Sequence, residues 1–392
     1  MSRSRPLVLG VHAIERAVNT SVECLEDSGW LATLLLEWIK QGNRLAWFGY
    51  ETKLRKAEGE LLHSTRIWDA NKKVVKCELG DTSPFDNAHQ YMEQALGRGF
   101  KEPVPEVDAV LITGSRINYE ELAAKWLLIE HCVDNEIPCF FWDLDFTLPR
   151  IPWLKDKTGS FIKTFPVKWM PEQYMRQVIS KMIYLSSIVD YEHAKLDIYN
   201  PVEWHGFFDW KYKRPVRVKH KYDVVYVGST GNRSKHFHKW YGELEGHFSV
   251  DVWGNKQSDK LKESMRWVNW HEAVNPNSVP DVLNSGRVCI QSARDLYRRL
   301  TWQTFRIGEV IMAGSILISP SDVLRIERFI GPEFTFETPD QMLSLVDQIM
   351  GLSYEDYVEV VRYQRRLISG QSPACRVARL TNMIYDLNRN LW

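Results

Sequence analysis

The clearest indication of the fold comes from residues 302–319, W-Q-T-F-R-I-G-E-V-I-M-A-G-S-I-L-I-S. Its apolar spacing predicts a helix that ends at Gly314 and is followed by a buried strand over residues 316–318. Arg306 and Glu309 stand three residues apart, so they share one face of the predicted helix near its start. A carboxylate at that position suits a site that binds hydroxyl groups of a ligand. The plainer interpretation is a surface ion pair ahead of a core helix.

Apolar runs alternate with amphipathic stretches along the rest of the chain. Strands are predicted over residues 7–11, 44–50, 108–115, 137–145, 182–190, 222–229, 248–254 and 287–293. Helices are predicted over residues 29–42 and 119–135 and through the last 40 residues, whereas residues 51–105 give no pattern that can be placed. This alternation implies right-handed crossovers and parallel, doubly wound sheets. Ligands of such sheets bind beyond the carboxyl ends of the strands.

The sequence therefore predicts an α/β protein with two doubly wound, Rossmann-like domains that face a cleft. At 392 residues the chain is long enough for two domains of ordinary size. We place the first domain at residues 1–205, a basic linker at 206–221 and the second domain at 222–370. Residues 371–392 are predicted to form a helical C-terminus that packs back on the first domain.

The composition narrows the class of protein. The net charge is zero, so a polyanionic partner would have to be bound by local patches of charge. The six Cys include no C-x-x-C pair and sit mostly in apolar runs, which is typical of reduced thiols in a cytosolic protein. Residues 1–10 contain no h-region, so we expect no signal sequence, and no apolar run approaches the ~20 residues of a membrane span. We expect a cytoplasmic protein without a membrane partner.

Residues 224–235, V-V-Y-V-G-S-T-G-N-R-S-K, have the pattern of a phosphate cradle. The strand ends at Gly228 and Ser229, where backbone N–H groups can approach a phosphate, and Arg233 and Lys235 add positive charge. The pattern is neither a P-loop nor a dinucleotide-binding fingerprint. The alternative is an ordinary glycine turn with solvated cations.

Two carboxylates end the run F-F-W-D-L-D-F-T-L at residues 140–148. Asp143 and Asp145, together with His12 at another strand end, are candidate catalytic residues. The two Asp could bind a divalent ion, act as a general base or stabilise a charge. They also match the start of a haloacid-dehalogenase phosphatase motif, in which the first Asp is the nucleophile, but Phe146 replaces the usual Gly. A loop-capping role is the structural alternative.

Two groups of cations could contact a polyanion. The first comprises Lys211, Lys213, Arg214, Arg217, Lys219 and Lys221. The second comprises Arg294, Arg298 and Arg299. The plainer interpretation of the first group is a solvated linker.

The order of the motifs resembles the C-terminal domain of GT-B fold glycosyltransferases. The matching motifs are V-G-S-x-x-x-R at 227–233, V-P-D-V-L-N-S-G-R-V-C-I-Q at 279–291 and R-x-x-E-x-x-x-A-G-S at 306–315. The branch related to spore maturation protein B is the most similar, and F-W-D-L-D resembles a segment of its first domain. The resemblance covers residues 220–330 well and the first domain loosely.

This resemblance implies roles for particular residues. Gly228, Ser229 and Arg233 would approach the donor diphosphate near Arg306, and Glu309 would bind the ribose hydroxyls. Retaining enzymes of this fold often carry a Glu eight residues before the ribose-binding one, and here that position is Thr301. The resemblance implies that no chelated metal or other cofactor is required, so that cations and helix ends neutralise the phosphates.

The resemblance thus predicts a monomeric enzyme that transfers a sugar from a nucleotide sugar, specifically a UDP-sugar. The predicted acceptor is a hydroxymethylated pyrimidine in phage DNA, presented as an extruded base in the host cytoplasm. The predicted nucleic-acid contacts are Lys211, Lys213, Arg214, Arg217, Arg298 and Arg299. The alternatives are a small-molecule or surface-glycan acceptor, a phosphatase that uses the D-L-D-F-T-L segment, and a non-catalytic nucleotide-sugar binder.

Overall fold

The structure is a computed structural model. It describes residues 5–12, 30–50, 63–68, 74–78, 107–114, 129, 132–143, 180–194, 200–206, 212–254 and 257–390. The chain divides into two compact units. The first comprises Met1–Ser187, Leu196–Trp204 and Pro373–Trp392, and the second comprises Ile188–Lys195 and His205–Ser372.

The first unit contains an eight-stranded sheet with the order β4-β3-β2-β1-β5-β6-β7-β8. Its strands are β1 (Val8–His12), β2 (Arg44–Tyr50), β3 (His63–Trp68), β4 (Val74–Glu78), β5 (Ala109–Gly114), β6 (Cys139–Asp143), β7 (Ile183–Ser186) and β8 (Pro201–Glu203). All neighbours pair in parallel except β3, which is antiparallel to both β2 and β4. A largely parallel sheet is buried on both faces, and the sequences of β5 and β6 are accordingly continuous apolar runs.

The second unit contains six parallel strands with the order β11-β10-β9-β12-β13-β14. They are β9 (Tyr222–Val227), β10 (Val250–Trp253), β11 (Asn269–His271), β12 (Gly286–Ile290), β13 (Ile316–Pro320) and β14 (Thr335–Phe336). The core strands β9, β12 and β13 are rich in Val and Ile, as expected for strands covered on both faces.

Helices cover both sheets. Among the described residues they are α1 (Trp30–Lys40), α2 (Tyr191–Ala194), α3 (Ser234–Tyr241), α4 (Asp259–Ser264), α5 (Val279–Ser285), α6 (Asp295–Arg299), α7 (Arg306–Ala313), α8 (Glu327–Ile330), α9 (Pro339–Met350), α10 (Tyr354–Ile368) and α11 (Pro373–Asn390). Single 3₁₀ turns occur at Gly231–Arg233, Gly242–Leu244, Pro276–Ser278, Pro332–Phe334 and Ser369–Gln371.

The helix and strand predicted from residues 302–319 are confirmed as α7 and β13. Ile307, Val310 and Ile311 form the buried face of α7. The helix ends because Gly314 adopts a left-handed conformation with φ +93°, which an L-residue with a side chain adopts at a cost.

The last helix, α11, belongs to the first unit, as the sequence predicted. It packs against α1. Asn388 Nδ2 donates to the carbonyl of Asp108 at 3.4 Å, and Arg379 Nη1 donates to the carbonyl of Glu203 at 2.8 Å. These contacts tie the helix to the strand β8 and to the residue that precedes β5.

Other predictions of elements have mixed outcomes. The predicted strands agree with β1, β2, β5, β6, β7, β9, β10 and β12. The strands β3 and β4 were missed, because they lie in the stretch of residues 51–105 without a clear period. The helix predicted over residues 119–135 lies mainly outside the described residues. The predicted domain boundaries remain predictions; residues 212–221 are counted with the second unit.

Candidate functional site

A glycine turn and several polar residues follow the strands at the carboxyl edge of the second sheet. Gly228 follows β9, Gln257 follows β10, Ser292 follows β12 and Asp322 follows β13. The helix α7 also begins at this edge, because it connects β12 to β13. Parallel strands place such residues at one edge, which is where ligands of doubly wound sheets bind.

The turn after β9 is held by hydrogen bonds. Gly228 donates its N–H to the carbonyl of Trp253 at 2.8 Å, and Gln257 Nε2 donates to the carbonyl of Gly228 at 3.2 Å. Thr230 is fully buried, and its hydroxyl donates to Gln257 Oε1 at 2.7 Å. A Cβ atom on Gly254 would lie 2.3 Å from the Gly228 carbonyl oxygen, so only glycine permits this close approach. The turn is therefore rigid before any ligand arrives.

Arg233 lies at the start of α3 and reaches the loop after β12. Its Nη1 atom donates to the carbonyl of Ser292 at 2.9 Å. Its Nε atom is buried and has no hydrogen-bond acceptor among the described residues. A buried guanidinium N–H without an acceptor is costly unless a ligand supplies one, and a phosphate oxygen is well suited. Lys235 lies in the first turn of α3 with an exposed side chain.

Arg306 and Glu309 lie on one face of α7, as predicted. Arg306 Nη1 is 2.7 Å from Glu309 Oε2, and the two side chains are 28% and 20% exposed. The contact is an ion pair without hydrogen-bond geometry, so the buried Nη1 donor has no acceptor among the described residues. Burial opposes the charge on Arg306, but Glu309 raises the Arg306 pKa above its ordinary value. Arg306 therefore keeps its positive charge at neutral pH, and both side chains are only partly exposed, unlike those of a surface ion pair.

The turn after β9 and the start of α7 are neighbours. The strands β9 and β12 pair in parallel, so the turn after β9 and the segment that leads from β12 to α7 leave the sheet at the same edge. The Tyr226 hydroxyl donates to the carbonyl of Ser229 in this turn at 3.4 Å. The structure therefore brings together the predicted residues Gly228, Ser229, Arg233, Arg306 and Glu309 at one edge of the second sheet.

A polar network that the sequence did not reveal supports this edge. His236 is 3% exposed; its Nδ1 lies 3.4 Å from Ser292 Oγ and its Nε2 lies 3.3 Å from Asp322 Oδ1. Burial opposes the charge on Asp322, but hydrogen bonds from His236 and Arg298 hold the Asp322 pKa below its usual value. The one sequence signal was position, since Ser292 and Asp322 each follow a buried strand.

Thr301 stands where the resemblance would often place a Glu in retaining enzymes. In this structure its hydroxyl is used in contacts with the backbone. Its hydroxyl donates to the carbonyl of Asp190 at 3.2 Å and accepts from the Asp190 N–H at 3.0 Å. The side chain is 1% exposed. Thr301 is therefore not available for direct contact with a ligand.

The candidate catalytic residues belong to the first unit. Asp143 ends β6, is fully buried and accepts a hydrogen bond of 2.8 Å from the Tyr184 hydroxyl. His12 ends β1, two strands away from Asp143 across β5. Asp145 lies outside the described residues. The observed contact of Asp143 favours a structural role at the strand end. Asp145 and His12 stay candidates for a base.

The predicted nucleic-acid contacts divide between two places in the second unit. Arg298 is bound between two acids, Asp322 and Asp295. Arg299 is exposed on the same short helix, α6. This group lies near the carboxyl edge of the sheet.

The other cations lie at the amino edge of the second sheet, just before β9. Arg214 Nε pairs with Asp281 Oδ1 at 2.6 Å, and Arg217 Nε donates to Asn284 Oδ1 at 2.7 Å. Lys213 is exposed, and Lys211 lies outside the described residues. The six residues of β9 separate these cations from the Gly228 turn by about 20 Å. The structure therefore does not bring the two basic groups together.

In the part of the chain that the structure describes, no cluster of three or more His, Cys, Asp or Glu residues could hold a metal ion. None of the helices in these same residues is long and apolar enough to span a membrane.

Comparison with known proteins finds similarity in three dimensions only. No protein-family profile matches the sequence, and no curated protein matches it in sequence. The DNA-modifying enzyme β-glucosyltransferase superposes with a TM-score of 0.55 and 12% identity, over 97% of this chain and 100% of that chain. T4 phage BGT in complex with UDP-glucose superposes with a TM-score of 0.52 and 13% identity, over 97% of this chain and 98% of that chain. T4 phage BGT has also been solved with UDP and Mn²⁺.

A trehalose-6-phosphate synthase from Burkholderia multivorans matches equally broadly. Its TM-score is 0.57 at 9% identity, over 99% of this chain and 100% of that chain. Identities this low establish the fold alone, and the matches span both units. The chain therefore has the two-domain α/β fold of GT-B glycosyltransferases, the fold that the order of its motifs predicted.

Proposed function

We propose that this protein is a glycosyltransferase that moves a sugar from a UDP-sugar to an acceptor hydroxyl. In this proposal Gly228, Ser229, Arg233 and Arg306 hold the diphosphate of the donor, with Lys235 adding positive charge at the mouth of the site. Glu309 accepts hydrogen bonds from the ribose hydroxyls. Asp143, Asp145 and His12 remain the candidate catalytic residues.

The observation that carries this proposal is the pair of guanidinium groups at the carboxyl edge of the second sheet. Arg233 Nε and Arg306 Nη1 are both buried donors without an acceptor among the described residues. Both belong to segments that flank the rigid Gly228 turn. Two cations and a backbone turn of this kind suit a diphosphate, because Arg233 Nε would gain an acceptor and Arg306, already paired with Glu309, would add positive charge.

The chemistry follows from this arrangement. The acceptor oxygen attacks the anomeric carbon and forms the new glycosidic bond, while the bond from that carbon to the diphosphate oxygen breaks. The diphosphate leaves with the electron pair, and the two arginines stabilise its growing charge. The acceptor hydroxyl loses its proton to a base, for which Asp145 and His12 are the leading candidates.

For the acceptor, we propose a hydroxymethylated pyrimidine in DNA, as it would occur in a bacteriophage genome. Support comes from the likeness in fold to the DNA-modifying β-glucosyltransferase over nearly the full length of both chains. Exposed cations at both edges of the second sheet, Arg299 at one and Arg217 at the other, could contact DNA phosphates. A small-molecule acceptor is the second candidate, because the trehalose-6-phosphate synthase matches with a TM-score of 0.57.

The phosphatase alternative is disfavoured by the environment of Asp143. A nucleophilic carboxylate must be reached by a phosphomonoester, whereas this side chain is fully buried and bonded to Tyr184.

The test is sugar transfer from radiolabelled nucleotide sugars. The protein is incubated with each donor and with hydroxymethylated duplex DNA, unmodified duplex DNA or a set of small sugars and glycans, in EDTA and again with Mn²⁺. We expect transfer from a UDP-sugar to the hydroxymethylated DNA only, and none by the Arg233→Ala variant. Transfer to small sugars alone would select the second acceptor. Failure to bind any nucleotide sugar in calorimetry would overturn the proposal.

A further inference from the structure

Three residues in the segment that leads into α7 are fixed by hydrogen bonds on several sides. Thr301 forms two hydrogen bonds with the backbone of Asp190. Gln303 is 1% exposed and donates from Nε2 to the carbonyl of Leu324 at 2.7 Å. One residue further on, Thr304 Oγ1 accepts a hydrogen bond of 3.2 Å from Gln291. The start of α7 is thus tied to three other segments of the second unit.

Thr301 itself has an unusual backbone. Its φ is +52°, although it is a β-branched residue. A β-branched side chain in this region is a true outlier, and such strain persists only where surrounding contacts determine it fully. Here the Thr301 N–H donates to the carbonyl of Arg298, and its own carbonyl accepts from the N–H of Val189. Together with the hydroxyl, every polar group of this residue is used.

The partner of Thr301 is also fixed. Asp190 Oδ1 accepts from the N–H of His193 at 2.8 Å, which starts the short helix α2. Asp190 Oδ2 lies 3.3 Å from Arg325 Nη2, and Arg325 is likewise at a positive φ of +65°. Two strained residues, one before α7 and one after β13, therefore meet the same aspartate.

We propose that Thr301 is a positioning residue that sets the place of α7 and thereby the affinity for the donor. This inference rests on the proposed function, since it assigns Arg306 and Glu309 to donor binding. Thr301 acts through the helix rather than on the ligand, because its side chain is buried and its hydroxyl is used by Asp190. At the position where the resemblance would place a Glu, this chain thus has a residue that positions a helix and does not contact the ligand.

The experiment compares Thr301→Val, which removes the hydroxyl at constant shape, with Thr301→Ser, which keeps it. We expect Thr301→Val to raise the Kd for UDP and the donor KM by about tenfold, while kcat changes less than twofold. Thr301→Ser should stay within about twofold of wild type, because its hydroxyl can still bond to Asp190. Asp190→Ala keeps the backbone bonds to Thr301 and releases His193 and Arg325, so it should raise the Kd for UDP about threefold. This variant replaces Thr301→Val in the test if Thr301→Val does not fold.

Thr338→Val is the control for a loss of stability alone. Thr338 caps α9 through its hydroxyl, which accepts from the N–H of Gln341. Its loss should lower Tm without changing donor affinity. Equal losses of donor affinity in Thr338→Val and Thr301→Val, or a wild-type Kd in folded Thr301→Val, would overturn the proposal.

Hydrogen exchange separates this inference from the proposed function. In donor-free protein, amides of residues 306–313 should exchange faster in Thr301→Val than in wild type or Thr301→Ser. If wild type binds no UDP, the proposed function fails, and faster exchange would still support the positioning of α7. Unchanged exchange in Thr301→Val would remove the positioning role whatever the ligand is.

Discussion

Arg306 and Glu309 form a partly buried ion pair on α7, with 2.7 Å between Nη1 and Oε2. A second pair of the same spacing, Glu359 and Arg362, lies on α10, where both side chains are about three-fifths exposed. The two pairs have the same residue types and the same separation in the sequence. Their difference in burial and location makes the second pair a matched control for the first.

Removal of the Glu309 carboxylate should weaken binding of the donor. We expect Glu309→Ala to cost about 1–3 kcal/mol in UDP or UDP-sugar affinity, the value of a charge-assisted hydrogen bond. Glu359→Ala should leave the affinity unchanged, since an exposed pair contributes little. Calorimetry on both folded variants checks this, and equal affinities in wild type and Glu309→Ala would remove the assignment to ribose.

Asp143 should not act as a phosphatase nucleophile. We expect no hydrolysis of a generic phosphomonoester by wild type, with or without Mg²⁺, because Asp143 is buried against Tyr184. Tyr184→Phe should lower the free energy of unfolding by about 1–3 kcal/mol, because it removes a hydrogen-bond donor from a buried carboxylate. Magnesium-dependent turnover that Asp143→Asn abolishes would contradict the glycosyltransferase proposal itself.

Binding of DNA should depend steeply on salt if DNA is the acceptor. Each phosphate contact releases counterions, so the log–log slope should be about −0.9 per contact on duplex DNA. Lys219→Gln tests the amino edge, and Arg299→Gln tests the carboxyl edge; both remove exposed cations. Each change should flatten the slope and leave UDP affinity intact.

A charge reversal at Arg214 would be a poorer test. It would place a carboxylate against Asp281, so a loss of binding would report lost structure. A flat titration of hydroxymethylated duplex at low salt, with donor present, would move the acceptor to small molecules and glycans.

His220 should make the second unit sensitive to acid. Burial, with the nearby charges of Arg287 and Arg217, lowers the His220 pKa from 6.5 to about 4. Both ring nitrogens of His220 lack hydrogen-bond partners among the described residues. The ring packs on that of Tyr357, with 4.7 Å between the ring centroids. Between pH 6.5 and 4 the unfolded chain therefore binds more protons than the folded protein, so stability falls as the pH falls through this window.

The expected loss is about 1–2 kcal/mol, less than the full linkage value because the ring is only partly buried. His220→Phe keeps an aromatic ring on Tyr357 and removes the titration. Chemical denaturation at several pH values should show a flatter dependence for this variant between pH 4 and 6.5. Parallel curves for variant and wild type would rule out His220 as the source.

The sequence predicted those parts of the fold in which local pattern and burial agree. The run at β13 and the helix α7 have a clear period and a glycine stop, so both were found. The strands β3 and β4 were missed because short antiparallel strands with polar residues lack a continuous apolar run. For the site, Gly228, Arg233, Arg306 and Glu309 follow strand ends or a helix start, which topology alone brings together.

Other features depend on contacts between distant residues and cannot be read from spacing. The bond between Asp190 and Thr301 joins residues 111 positions apart. The basic segment before β9 was interpreted from its charge as a linker or a polyanion surface. In fact Arg214 and Arg217 bind Asp281 and Asn284, and this depends on how α5 packs beside them.

The membership of α11 in the first unit has a consequence for biosynthesis. Its buried residues Val377, Leu380 and Ile384 complete the apolar core of that unit. A ribosome adds about 5–20 residues each second, and domains ordinarily fold in the order of their synthesis. Here the whole second unit has been synthesised once translation reaches Ser372, before α11 is complete. The half of the chain that is translated first is therefore the last to acquire its full core, and until then its apolar surface beside α1 is exposed to chaperones.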